Sequence, residues 1–237
     1  MKASILYLYY DFMNLYGDNG NVRIMEKRLK DQGFDVDVVK KTVTDDDISF
    51  DGFDLIYCGS GTESRRFEAV KHLKRFEKGF KEAVLAGTPV LFTGNAWGML
   101  GRSITALNGE KTEGIGLFDL DVREEIKKRF TGDAVESADG FDRQFIGFIN
   151  KCDVIDGFDD YLFKVTKTIG QIPYTSDGVK KENLFGISLI GPVLVKNPFY
   201  AKYLTKLITE KRKMSYRETE YPYEEKGYAM TLKALAE

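Results

Sequence analysis

A chain of 237 residues with 43% hydrophobic and 13% aromatic content buries a substantial core, as one large domain or a domain with an appendage. Its 35 basic and 37 acidic residues nearly cancel, which argues against a general nucleic-acid binder or a binder of acidic membranes. Two cysteines are too few for a disulfide framework and fit a reducing, cytoplasmic compartment, and no apolar run is long enough to span a bilayer.

The opening MKASILYLYYDF reads as a first strand, Ser4 to Tyr10, rather than a leader peptide. LYGDNGN, Leu15 to Asn21, is loop, with Asn19 or Asn21 expected to cap a helix from Val22 to Asp31. Gly33 ends that helix, and Phe34 to Val39 is a second strand, so the chain opens as a βαβ unit with a parallel sheet. Asp45-Asp46-Asp47 has the look of a metal cluster, but consecutive carboxylates point apart and Asp favours first turns, so a solvated turn is expected.

Asp54 to Cys58 is the third strand, and Gly59-Ser60-Gly61-Thr62 follows it as a βα turn of the kind whose backbone N–H groups can meet an anion. Glu63 to Leu85 reads as one helix broken near Gly79, with the single histidine, His72, on a solvated face beside Lys71, Lys74 and Arg75. Pro89 to Phe92 is a strand, Thr93-Gly94-Asn95 a tight turn, and a helix opens near Ala96. Strand, sharp turn and helix make the geometry of a nucleophile elbow, with Gly94 where the nucleophile would stand.

Short strands near 115–122, 128–136, 145–149 and 161–168, separated by Gly and Asp turns, predict an antiparallel excursion from the parallel sheet. Leu184 to Ile190 is a further buried strand, Pro192 to Pro198 a loop and Phe199 to Lys211 a helix. The tail from Met214 is charged and rich in tyrosine, helical from about Tyr228, and suited to docking on the domain or on a partner. The expected organisation is a domain over 1–211 and a C-terminal tail over 212–237.

Nucleophilic chemistry usually needs an acid–base partner, and His72 is the one histidine available. Cys58 ends an apolar strand and reads as a packing thiol; Cys152 reads as the more exposed of the two. Two isolated cysteines and one histidine offer no zinc spacing, and the phosphate-loop and dinucleotide fingerprints are absent, so neither metal nor cofactor is expected.

LYGDNGN, GSGTESR (59–65), VLFTGNAWGMLG (90–101), RFTGDAVES (129–137), GFIN (147–150) and NLFGISLIGPVLVKNP (183–198) fall in one order. In that order the chain resembles the class-I glutamine amidotransferases of the cobyric acid synthase-like group, and within it the glutaminase subunits of lipid II isoglutaminyl synthases. The resemblance runs from about residue 4 to 211. It implies an α/β flavodoxin-like sandwich with a mostly parallel central sheet and an antiparallel extension. It also implies glutamine hydrolysis by an elbow Cys activated by a His, with the ammonia passed to a Mur-ligase-like partner.

In the resemblance the Cys position is Gly94 and the His position is Ile190, so both chemical residues are missing together. Three readings follow. The first is a non-catalytic subunit or scaffold for an amidating partner in cell-wall metabolism. The second is a module that binds glutamine or another small carboxylate through Gly59, Ser60, Gly61, Asn95 and Arg129. The third is a glutamine hydrolase with a relocated cysteine, Cys58 or Cys152. The double loss favours the first.

Overall fold

The computed structural model describes residues 1–125 and 129–236. In chain order the elements are β1 (Lys2–Leu8), α1 (Asn19–Asp31), β2 (Asp35–Lys41), β3 (Leu55–Cys58), α2 (Glu63–Lys74), α3 (Glu77–Leu85) and β4 (Val90–Thr93). A 3-10 run (Gly94–Leu100) leads to β5 (Ser103–Thr105), β6 (Lys111–Glu113), β7 (Asp121–Glu124), β8 (Phe130–Ala138), β9 (Phe145–Lys151) and β10 (Asp153–Asp156). Then come β11 (Phe163–Gln171), β12 (Ser176–Asp177), β13 (Val179–Lys181), β14 (Leu184–Ile187), α4 (Val193–Lys196), α5 (Pro198–Lys211) and α6 (Pro222–Ala236).

Six strands form the central sheet in the order β13-β14-β4-β3-β1-β2. All its pairings are parallel except β13 with β14. Alternate residues of β1 serve opposite faces: Leu6 and Leu8 join a core with Phe67, Val70 and Leu73 of α2 and Phe80 of α3. Ala3, Ile5 and Tyr7 join a second core with Met25 and Leu29 of α1 and Leu204 and Ile208 of α5. Burial on both faces is why these strands read as continuous apolar runs. The excursion between β4 and β14 builds two further four-stranded sheets, a mixed one ordered β10-β7-β5-β6 and an antiparallel one ordered β12-β11-β8-β9.

The parallel strands point their C-terminal ends at one edge, and the chain reverses direction across the sheet at β1 and β3, where open α/β sheets place ligands. The segments after β1, β3, β4 and β14 therefore converge: Tyr9–Asp18, Gly59–Thr62, the turn at Gly94 and Ser188–Ile190.

Several expectations are corrected. Asp18, not Asn19 or Asn21, occupies the N-cap of α1, and the Asn19 N–H donates to Asn14 Oδ1 at 2.9 Å. The long helix breaks at Arg75-Phe76 rather than at Gly79, which sits inside α3. The stretch 115–122 is strand only from Asp121, and β5, β6 and β10 had no counterpart in the sequence reading. The expected strand at 128–136 begins at a residue outside the described ones and is seen as β8. Pro192 to Pro198 is not all loop, because it holds α4. His72 is buried rather than solvated: Nε2 donates to the Asp45 carbonyl at 2.8 Å and Nδ1 pairs with Tyr9 OH at 3.1 Å. Asp45 itself closes its turn by accepting from the Thr42 N–H at 2.6 Å.

The tail docks on the domain. Gln32 and the backbone of Arg217 exchange two hydrogen bonds, at 2.8 and 2.7 Å, and Tyr221 OH donates to Asp31 at 2.6 Å. Arg28 pairs with Glu224, and Tyr228 OH donates to the Gln144 carbonyl at 2.8 Å. Helix α6 starts at Pro222, earlier than the expected Tyr228. No helix among the described residues is long and apolar enough to cross a membrane.

Asn197 fastens α4 and α5 to the antiparallel sheet. It is fully buried, accepts from Ile146 N at 2.8 Å and donates to Ile146 O at 2.9 Å and Val193 O at 2.8 Å. Asn197→Ala leaves those backbone groups unpaired, and urea denaturation should show a loss of about 2 kcal/mol.

Candidate functional site

Thr93 ends β4 in extended conformation, and Gly94 turns the chain at φ 61°, in the left-handed region that favours glycine. The run that follows, Gly94 to Leu100, is wholly buried. This is the strand–turn–helix elbow expected from the sequence, tightened into a 3-10 helix.

What stands over the elbow is the informative part. A Cβ at position 94 would lie 2.4 Å from Ser60 Oγ, 2.5 Å from Ser60 Cβ and 2.7 Å from Ile190 Cγ2. Positions 60, 94 and 190, far apart in the chain, meet at one point. Ile190 is held there by its N–H, which donates to the Phe148 carbonyl at 2.8 Å in an isolated antiparallel bridge. The space that a side chain at position 94 would enter is occupied by a hydroxymethyl and a methyl group.

The Gly59–Gly61 loop is glycine-rich for packing. A Cβ on Gly59 would meet the Met13 carbonyl at 2.4 Å and Asp18 Cβ at 2.5 Å, and one on Gly61 would meet Met13 Sδ at 2.5 Å. Asn95 Oδ1 accepts from Ser60 Oγ and from the Gly61 N–H, both at 3.1 Å, while Asn95 Nδ2 donates to the Gly61 carbonyl at 2.8 Å. The N–H that an anion would use is thus committed to Asn95, and Ser60, Gly61 and Asn95 satisfy one another.

Arg129 is not part of that group. Its guanidinium is exposed, bonded to Glu63 Oε1 at 2.9 Å through both Nη atoms, and Nε donates to Asn150 Oδ1. Burial alone would push the Glu63 carboxyl up; its own N–H and Arg129 outweigh this and hold it below the usual range. Beside Arg129 lies a cleft of about 280 Å³ lined by Phe130, Gln171, Ile172 and Pro173.

Neither thiol is activated. Burial, then Asp18, pushes Cys58 well above the ordinary thiol range. Cys152 is buried, against the expectation of exposure; burial, Asp153 and Glu63 push it up to about 12, and its Sγ donates to Glu63 Oε1 at 3.4 Å. Both ring nitrogens of His72 are engaged with Tyr9 and Asp45 rather than with a thiol.

One polar group under the elbow went unnoticed in the sequence. Asp18 is buried, and its Oδ1 accepts from Thr93 Oγ1 at 3.1 Å and Tyr57 OH at 3.3 Å. Asn21 Nδ2 donates to the same Tyr57 hydroxyl at 2.8 Å. Burial raises the Asp18 carboxyl despite these donors. The signal was its place in LYGDNGN, within one of the ordered motifs.

A family model described as the CobB/CobQ-like glutamine amidotransferase domain matches residues 4–198. The chain is 28% identical over 227 residues to the subunit GatD of lipid II isoglutaminyl synthase (glutamine-hydrolyzing) from Staphylococcus aureus strain N315, covering 92% of this chain and 89% of that protein. It is 26% identical over 225 residues to the corresponding subunit from Streptococcus pneumoniae strain ATCC BAA-255 / R6, covering 91% and 82%. Among solved structures it is similar in fold to PurLQS from Thermotoga maritima, with TM-score 0.61, 15% identity and coverage of 90% of this chain and 100% of that one. A structure described as a glutamine amidotransferase gives TM-score 0.56 at 15% identity, covering 86% and 98%.

Proposed function

The chain belongs to the CobB/CobQ-like glutamine amidotransferase family and has the class-I glutamine amidotransferase fold, and from that premise we propose that it is a non-hydrolysing, cytoplasmic subunit of an assembly that amidates lipid II. The observation that carries this reading is the elbow: Gly94 keeps the left-handed turn while Ser60 and Ile190 fill the place of the nucleophile's side chain. An elbow residue other than glycine is strained by about 1 to 3 kcal/mol, and that strain persists only where a function holds it. Glycine at 94 relieves it. Isoleucine at 190 replaces an imidazole, which would need hydrogen-bond partners, with an apolar group that needs none.

The relatives named as GatD are subunits of a synthase. On this reading the present chain docks on a Mur-ligase-like partner and contributes structure, while nitrogen reaches the ligase as free ammonia or from another donor. Relocated cysteine chemistry is disfavoured because both thiols are buried and held in the neutral form.

The test is ammonia and glutamate release from glutamine by the purified protein, alone and with the neighbouring ligase, together with size-exclusion chromatography of the mixture. The expected result is a stable complex and no release above blank. Hydrolysis that survives rigorous purification, or failure to form the complex, overturns the proposal.

A second reading keeps a small carboxylate at Arg129, favoured by the exposure of that guanidinium beside a cleft. It predicts a melting temperature that rises with millimolar glutamine or glutamate and no longer rises in Arg129→Ala.

A further inference from the structure

The central sheet ends on one side in β13 and on the other in β2. An open edge presents unpaired N–H and C=O groups that template further pairing, and folds usually blunt it with short or charged strands. β13 is blunted in both ways, since it has three residues and two of them are Lys180 and Lys181. β2 has seven residues, Asp35 to Lys41, and pairs only with β1. The Asp35 N–H donates to the Met1 carbonyl at 2.9 Å, so the odd-numbered residues turn their main chain towards β1. Val36, Val38 and Lys40 turn theirs outwards, where no main-chain group among the described residues meets them. Val36 and Val38 also wall a cleft of about 350 Å³ beside the strand, and both are only partly buried.

The charges of β2 are sorted by sign along the strand. Asp35 and Asp37 stand at its start, both exposed, and Lys40 and Lys41 at its end. A like strand laid parallel and in register beside it sets acid against acid and lysine against lysine, which is destabilising. A like strand laid antiparallel sets acid against lysine. Its outward N–H and C=O groups meet their counterparts only when Val36, Val38 and Lys40 face one another. That leaves registers centred on Asp37, Val38 or Val39. Centring on Asp37 opposes two like carboxylates, and centring on Val39 runs Asp35 and Val36 past the end of the second strand. Centring on Val38 pairs the whole of β2 with itself.

We propose that β2 is the interface of a homodimer, in which two copies pair antiparallel about a twofold axis at Val38 and their central sheets join as one. Val36 exchanges main-chain hydrogen bonds with Lys40 of the second copy, and Val38 with Val38 of the second copy. Asp35 stands opposite Lys41 of the second copy, and Asp37 lies diagonal to the same ammonium. These fall at the pairs without main-chain hydrogen bonds, where side chains come closest. Lys41 Nζ donates to the Asp47 carbonyl at 2.8 Å and lies 3.3 Å from Asp45 Oδ1, and its third N–H serves Asp35. The interface is isologous, so each contact occurs twice and the assembly closes at two copies. Antiparallel pairing turns the two elbow edges in opposite directions, so each stays open to a partner of its own. The dimer forms whether or not glutamine chemistry survives at Gly94.

Sedimentation equilibrium on the full chain tests it, with a mass near twice 26.9 kDa expected at about 100 μM. Val38→Pro removes an outward N–H without breaking a bond to β1 and should give a folded monomer. Asp35→Lys and Lys41→Asp each set like charges opposite one another on both sides of the twofold axis, and each should weaken the dimer about tenfold or more. Mixed in equal amounts, the two variants restore both charge pairs, and a heterodimer tighter than either variant's own dimer is expected. Asp37→Cys, Val38→Cys and Val39→Cys, treated with a thiol cross-linker spanning about 5 Å, report the register. Val38→Cys should link fastest, because the native Cys58 and Cys152 are buried. A wild-type monomer up to about 200 μM, which leaves the edge to a strand of another protein, overturns the proposal. So does a dimer that persists in Val38→Pro, a mixture that regains nothing, or linking that is fastest at position 37 or 39.

Discussion

Glutaminase activity should appear in the triple variant Ser60→Gly, Gly94→Cys, Ile190→His and should be far weaker in Gly94→Cys, Ile190→His. The sequence points only to positions 94 and 190. The structure adds the third, because a Cβ at 94 would sit 2.5 Å from Ser60 Cβ. That atom is fixed to the backbone, so no rotation of the serine hydroxyl clears it. Removing the Ser60 side chain opens the space at the cost of two bonds to Asn95, and leaves a loop between Gly59 and Gly61 that carries no side chain. Ile190 already aims Cγ2 at the point where the new side chain would begin, so an imidazole at 190 starts beside the new thiol. A correctly placed acid–base partner contributes about a hundredfold or more, which sets the expected gain of the triple variant over a single Gly94→Cys. Each Cys-bearing variant should also melt earlier, since a side chain at φ 61° carries about 1 to 3 kcal/mol of strain. Glutamate release at the blank level in a folded triple variant would mean that the pocket has changed beyond these three positions. Equal activity in the double and triple variants would remove Ser60 from the account.

The elbow was legible because it depends on local pattern: a buried four-residue strand, a glycine where φ must be positive, and a compact run after it. The central sheet was legible for a similar reason, since strands buried on both faces announce themselves as apolar runs. What stayed hidden depends on which distant segment arrives. His72 sits among lysines in sequence, and nothing local says that the Asp45 turn and Tyr9 cover it. Cys152 looked exposed because its neighbours are charged, yet Lys151 and Asp153 are themselves drawn inward by Ser188 and Arg66. Ser60 read as part of a turn that could meet a carboxylate, and its crowding of Gly94 depends on how closely the β3 and β4 ends approach. The short strands β5, β6 and β10 carry too few residues for alternation to show.

Glu136→Gln should turn the pH dependence of stability in the variant's favour as pH rises. Glu136 lies on β8, fully buried, and neither carboxylate oxygen has a partner among the described residues. Burial, then Asp177, pushes its carboxyl well above the ordinary 4.5, and Lys151 opposes this only in part. The sign follows from proton counting. Above the ordinary value the unfolded chain has released this proton while the folded chain keeps it. The folded state is therefore favoured at low pH, and that advantage is lost as pH rises, by about 1.4 kcal/mol per unit until the folded carboxyl ionises. Glutamine at 136 keeps the shape and has no proton to release, so this slope disappears. Asp18, also raised by burial, keeps its own slope of the same sign in both proteins, so the difference between them isolates Glu136. Urea denaturation of both from about pH 5 to about pH 8 measures it, and parallel profiles would show that Glu136 is ionised in the fold and paired in a way the structure does not contain. A diverging profile places a neutral acid beside Asp177 and Lys151. The ammonium of Lys151 is then balanced by Asp177, whose Oδ1 lies 3.5 Å from Nζ.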